Sequence, residues 1–215
     1  MPLQETQKRP RGVGILIAAH LAIALPMAYL LTIWTDEAST LYATQNGFWH
    51  AVQTAAIEQK QAPLYFWVIS IWRMANDSIF FARLFSVLCS VVGIWLFARL
   101  AARLLGEKAA LLAAAFFALH PYLFWASTEI RVYSLVILLS VALIAAFLDA
   151  FWDEDKPGTW PTLKFALLAI AALYTNYYLG GMLAALMLPL VLFRRWRSAA
   201  IYVGTMAAVG LAFLP

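Results

Sequence analysis

Long uncharged apolar runs alternate along the chain with short polar segments, and each run predicts a helix. The first, Gly12 to Trp34, holds no Asp, Glu, Lys or Arg. About 20 apolar residues cross a hydrocarbon layer, and this run exceeds the roughly 7 to 15 apolar residues of a secretory signal core, so it predicts a spanning anchor. Further spans are predicted from Ile79 to Ala98, Ala109 to Ala126, Val132 to Phe151, Phe165 to Tyr174, Tyr177 to Phe193, and Ala199 onward. That makes an all-α polytopic bundle of about seven spans. Ala62 to Trp72 is uncharged but only eleven residues long, too short to span, and reads as a buried or interfacial segment. Phe165 to Phe193 is either one long tilted helix or two short ones meeting at Thr175-Asn176; two keeps Arg194, Arg195 and Arg197 on the inner side.

Charge fixes an orientation for this pattern. With the amino terminus inside, Lys8, Arg9, Arg11, Arg99, Arg103, Lys108, Lys156, Lys164, Arg194, Arg195 and Arg197 face the cytoplasm, and only Lys60, Arg73, Arg83 and Arg131 face out. Eleven against four agrees with the positive-inside rule. The composition agrees as well: 64% apolar and 12% charged residues stand far from a soluble domain, in which about a quarter of residues are charged. A net charge of +4 spread between apolar runs is no nucleic-acid footprint. The single Cys89, inside an apolar stretch, reads as packing. Residues 1–215 read as one membrane domain without repeats, its first outer loop at about 35–77. Its last span stops at Leu214-Pro215 without a polar flank, so a longer protein is expected, with this as its amino-terminal part.

The outer loop has a pattern of its own. Thr35 or Asp36 can cap a helix running to Gly47, with Asp36 and Glu37 at its positive end. Phe48 to Lys60 places Phe48, Trp49, Val52, Ala55 and Ala56 toward one side, as an amphipathic helix lying on a membrane would. With Ala62 to Trp72 these form a shelf at the lipid surface. Polar residues gather at the outer helix ends: Asp36, Glu37, Lys60, Gln61, Arg83, His120, Glu129, Arg131, Tyr133, Asn176, Tyr177 and Tyr178. Charges beside spans are costly and mark function. Each has a plainer reading too: Asp36-Glu37 as a capping pair, Glu129 with Arg131 as a solvated loop pair, Arg83 as a snorkelling cation. Trp34, Trp49, Tyr65, Trp67, Trp72 and Trp125 read as an interface belt. His20, mid-span, reads as a packed polar contact. Because the charges gather at one face instead of the midplane, an enzyme is favoured over a transporter.

Three motifs resemble the GT-C membrane glycosyltransferases, in the branch with protein O-mannosyltransferases and the transferase that adds aminoarabinose to lipid A. They are the acid pair Asp36-Glu37, the segment Gln61-Ala62-Pro63-Leu64-Tyr65, and Ser127-Thr128-Glu129-Ile130-Arg131-Val132-Tyr133, which fits a Ser-x-Glu-x-Arg-x-Tyr pattern; Tyr174-Thr175-Asn176-Tyr177-Tyr178 is a weaker fourth. Relatives commonly carry His-Pro-Pro where Gln61-Ala62-Pro63 stands, and often His at the Asn176 position.

The resemblance implies transfer of a sugar from a polyprenyl-phosphate donor to a hydroxyl acceptor at the outer face of a membrane, expected to be the bacterial inner membrane, with membrane lipid as a further partner. Asp36 is then the general base, with Glu37 beside it, and Arg131 the phosphate partner, with Lys60 and Arg83 as further cations. Glu129, Tyr133, Asn176 and Tyr177 are implied substrate contacts. The family includes metal-dependent members, so a divalent metal ion is allowed for, with Glu37 and His120 as its named ligands. The alternative is a non-catalytic subunit or transporter that binds a lipid-linked sugar without turning it over.

Overall fold

The computed structural model describes residues 12–58, 61–153 and 158–213, and the regular structure among them is entirely helical. Lys60 lies outside the described residues, as do Lys8, Arg9, Arg11 and Lys156. The chain divides into two compact units, one ending at Leu138 and the other beginning at Leu139.

The first unit opens with α1 (Val13–Leu30), the uncharged helix of the first apolar run. The segment between α1 and the next long helix supplies α2 (Thr35–Ala43), α3 (Phe48–Gln53), which widens into a π-helical turn over Thr54–Glu58, and α4 (Leu64–Arg73). The helix opened by the acid pair stops at Ala43 rather than Gly47; Gly47 adopts φ 83°, open to glycine at little cost, and starts α3 instead. α5 (Ile79–Leu105) is capped by Ser78, whose hydroxyl accepts from Phe81 N, and ends at Gly106.

α6 (Glu107–Ala118) and α7 (Pro121–Ser127) divide what the sequence predicts as one span, meeting at 56°. The break is local: Pro121 has no N–H to continue the helix, and His120 caps the new one, its Nδ1 accepting from Tyr122 N at 3.1 Å. α8 (Tyr133–Phe147) then leads into the second unit through a π-helical turn, Leu148–Trp152.

Packed clusters of buried residues hold the first unit. Small residues let α1, α5 and α6 approach closely, with Val13, Ala98 and Ala114 in one contact and Ala24, Ala28 and Val87 in another. Beneath the acid pair, Tyr65, Phe66 and Ile69 of α4 pack with Ala43, Ala51, Ala55, Ala82, Ile130 and Val132. Fully burying one such aromatic contributes about 1.5–3 kcal/mol. α4 is thus a buried segment of the loop, as its length requires. Trp49 and Ile57 are each about three-quarters exposed.

The second unit comprises α9 (Thr159–Thr175), α10 (Leu179–Ala185), α11 (Met187–Leu192) and α12 (Trp196–Phe213). Its core is aromatic, Phe151 meeting Phe165 edge-on at 5.2 Å and Tyr202 at 5.1 Å. The chain leaves helical geometry at Asn176, so Phe165 to Phe193 is not one continuous helix.

By length and composition, α1, α5 and Tyr133–Trp152 are long and apolar enough to cross a membrane, and α6 with α7 makes a fourth if the bent pair is one span. Among the described residues, three or four of the seven expected crossings thus have a helix long and apolar enough.

Candidate active site

Trp34 is extended, and the helix begins one residue later, which puts Asp36 and Glu37 in the first turn of α2, where the helix dipole favours anions. Neighbours in a helix point about 100° apart. Glu37 therefore turns into the protein, 1% exposed, while the Asp36 side chain stays 57% exposed.

Glu37 meets Arg83 of α5 in a buried two-point pair, Nε to Oε1 at 2.9 Å and Nη2 to Oε2 at 2.7 Å. Ile130 N also donates to Oε1, at 3.0 Å. Arg83 places its other donors on the end of α1: Nη1 on Ala28 O (3.0 Å) and Leu31 O (2.7 Å), Nη2 on Thr32 O (3.1 Å). All five guanidinium N–H groups are thereby used. Arg83 does not snorkel to the surface; it is the largest fully buried side chain among the described residues. A helix end otherwise leaves its last carbonyls without donors, and this cation supplies them.

The turn after α7 brings in the second charged group. Ser86 Oγ donates to Glu129 O at 2.5 Å, and Trp34 Nε1 donates to Glu129 Oε2 at 2.9 Å. Arg131 reaches Asp36 by longer contacts: Nη2 lies 3.6 Å from Oδ2, and Nη1 3.4 Å from Asp36 O and from Thr40 Oγ1. Its side chain is only 12% exposed, yet its Nε has no hydrogen-bond partner among the described residues. The same holds for the buried hydroxyl of Tyr65, close enough to feel the Arg131 charge. Burial pushes the Tyr65 hydroxyl well above its ordinary range, with Arg131 pulling it back in part.

Burial also raises the Glu129 carboxyl, and the neighbouring Glu37 adds to the rise, while the Trp34 hydrogen bond, Arg83 and Arg131 oppose it. A folded pKa raised above the unfolded one means stability present at low pH and lost as pH rises through the folded pKa. Glu129→Gln keeps an acceptor for Trp34 and cannot ionise. Relative to wild type, this variant should gain thermal stability between pH 4.5 and neutrality, read by unfolding in detergent at both ends; a constant difference would refute this.

Of the residues predicted from sequence, Asp36, Glu37, Arg83, Glu129 and Arg131 converge here. Tyr133 stands beside them on α8, its ring 4.7 Å from Trp125. His120 is committed to its helix cap and Glu37 to Arg83 and Ile130. No group of three or more His, Cys, Asp or Glu among the described residues is placed to hold a metal ion. Asn176 and Tyr177 belong to the second unit, where Asn176 Oδ1 accepts from Tyr178 N at 3.0 Å and Tyr177 is exposed. The site also uses Trp34, Tyr65 and Ser86, which the sequence does not single out as site residues. Tyr65 is 1% exposed, so it does not join an interface belt; its place directly after Pro63-Leu64 in a resembling motif is the signal that marks it.

The description dolichyl-phosphate-mannose-protein mannosyltransferase matches residues 60–215 of the chain. The chain belongs to that family. It is thus a membrane glycosyltransferase of GT-C type. The matched region of this mannosyltransferase-family chain takes in Gln61 to Tyr65, Ser127 to Tyr133 and Tyr174 to Tyr178; the acid pair precedes it. No curated protein and no solved structure matches the chain.

Proposed function

We propose that the chain moves a sugar from a polyprenyl-phosphate carrier onto a hydroxyl acceptor at the extracytoplasmic face. The observation that carries this reading is the Asp36–Arg131 pair. An open carboxylate stands 3.6 Å from a nearly buried guanidinium whose contacts among the described residues are long and whose Nε–H has no partner among them. Arg83 has all its donors filled, two of them by Glu37, and the pair acts as a strut; Arg131 does not, and a substrate can complete the Asp36–Arg131 pair.

In the transfer, Asp36 takes the proton of the acceptor hydroxyl as its oxygen bonds to the anomeric carbon. The bond from that carbon to the phosphate oxygen breaks on the opposite side, and the phosphate leaves with the electron pair. Arg131 offsets the charge that grows there, and the Tyr65 hydroxyl offers a further donor. Glu37 and Arg83 keep Asp36 in place. Glu129 holds Trp34 at the rim, and Tyr133, Lys60, Asn176 and Tyr177 keep the substrate contacts that the resemblance implies. The family description makes the mannosyl donor the first to try.

The test offers membranes carrying the chain a panel of polyprenyl-phosphate sugars, followed by lipid extraction and mass analysis. Wild type should consume one of them, and Arg131→Gln should lower kcat by about 10²-fold or more, the usual loss for one donor to a developing anion. Donor that binds wild type and is never consumed would overturn transfer in favour of a binding module.

A further inference from the structure

Ala118 ends α6, and its carbonyl has lost its helical donor. In an unbroken helix the N–H of residue 122 would serve it. Here Tyr122 N is taken by His120 Nδ1. An unserved carbonyl between apolar helices is costly, because no water is at hand to replace the donor. His20 of α1 supplies one: its Nδ1 lies 2.9 Å from Ala118 O. A carbonyl only accepts, so Nδ1 carries the proton. Nε2 lies 3.0 Å from Ser90 Oγ on α5, sharing that hydroxyl's single proton with Val87 O at 2.7 Å, and Phe124 of α7 stacks on the ring at 4.7 Å with a 15° tilt. One fully buried imidazole thus touches α1, α5, the last residue of α6 and the first turns of α7. Four residues beyond Phe124, Thr128 begins the turn that carries Glu129 and Arg131.

We propose that His20 is a positioning residue: it fixes the 56° angle of the break that His120-Pro121 opens between α6 and α7, and so holds Glu129 and Arg131 beside Asp36. Its effect on transfer rests on the proposed function; its effect on geometry does not. A histidine that served packing alone would stabilise the bundle without fixing where the turn lies. The polar partners of His20 argue against that, because both hydrogen bonds close on the break itself or on α5, the helix that carries Arg83 and Ser86.

The experiment uses the full chain in liposomes with Ala38→Cys on α2 and Tyr122→Cys on α7, both exposed, spin-labelled for a distance measurement. His20→Phe keeps a ring against Phe124 and removes both polar contacts; His20→Asn returns a donor at the place of Nδ1. The Phe variant should show a shifted or broadened distance distribution and a kcat lower by about 10²-fold, the scale of a 1 Å misplacement, with the donor KM little changed. The Asn variant should restore both. A Phe variant with the wild-type distribution overturns the proposal, and so does a shifted distribution with wild-type kcat. If wild type itself transfers nothing, the proposed function fails separately, and the distances alone decide whether His20 fixes the angle of the break.

Discussion

Asp36→Asn is expected to lower transfer by about 10²- to 10⁴-fold, the usual contribution of a positioned general base. The substitution is close to isosteric and removes one thing, the anion that accepts the acceptor proton. Arg131 keeps its contacts to the Asp36 carbonyl and to Thr40, because neither uses the carboxylate. The side chain is more than half exposed, so the loss of its charge costs the fold little. The fall should therefore appear in kcat with donor KM nearly unchanged, measured by donor consumption in membranes matched for protein content. Wild-type transfer by the variant would remove Asp36 from the role of base.

Arg83→Met is expected to cost about 3–5 kcal/mol of stability, the range seen when one member of a buried ion pair is removed. The methionine fills much of the volume, so the penalty is mainly electrostatic. Glu37 would keep only the Ile130 N–H, and the carbonyls of Ala28, Leu31 and Thr32 would lose their donor together. The double variant Glu37→Leu, Arg83→Met should recover part of the loss, because a buried charge without a partner costs more than an apolar pair. Unfolding in detergent, followed by tryptophan fluorescence, reads both variants. A single variant as stable as wild type would show that the pair is not the strut described above.

Much of this was legible from the sequence, and the exceptions have physical causes. The apolar runs locate α1, α5 and α8 because in a membrane helix each residue reports its own surroundings. The spacing of Glu129 and Arg131 within a seven-residue motif marks the turn after α7. Helix breaks were half legible: His120-Pro121 is a break signal, but uncharged residues on both sides hide it inside an apolar run. The pairing of Glu37 with Arg83 was illegible, since 46 residues separate them and nothing local to Arg83 distinguishes a buried guanidinium from one that reaches the surface. Nor does the dipeptide Asp36-Glu37 reveal that its members divide their duties. That follows only from where the helix starts, and a start one residue later would turn each acid by about 100°.

The grip of Arg83 on the end of α1, three of its five donors, also gives that helix a second meaning. The guanidinium ties the last carbonyls of α1 to the acid that sits next to Asp36 in sequence. The position of the Asp36 carboxylate is thus gauged from α1, as a plumb line is gauged from its anchor. One residue inserted between Val13 and Leu30 would move that reference by about 1.5 Å and swing it by about 100°. The first apolar helix is in this sense a ruler for the acid pair.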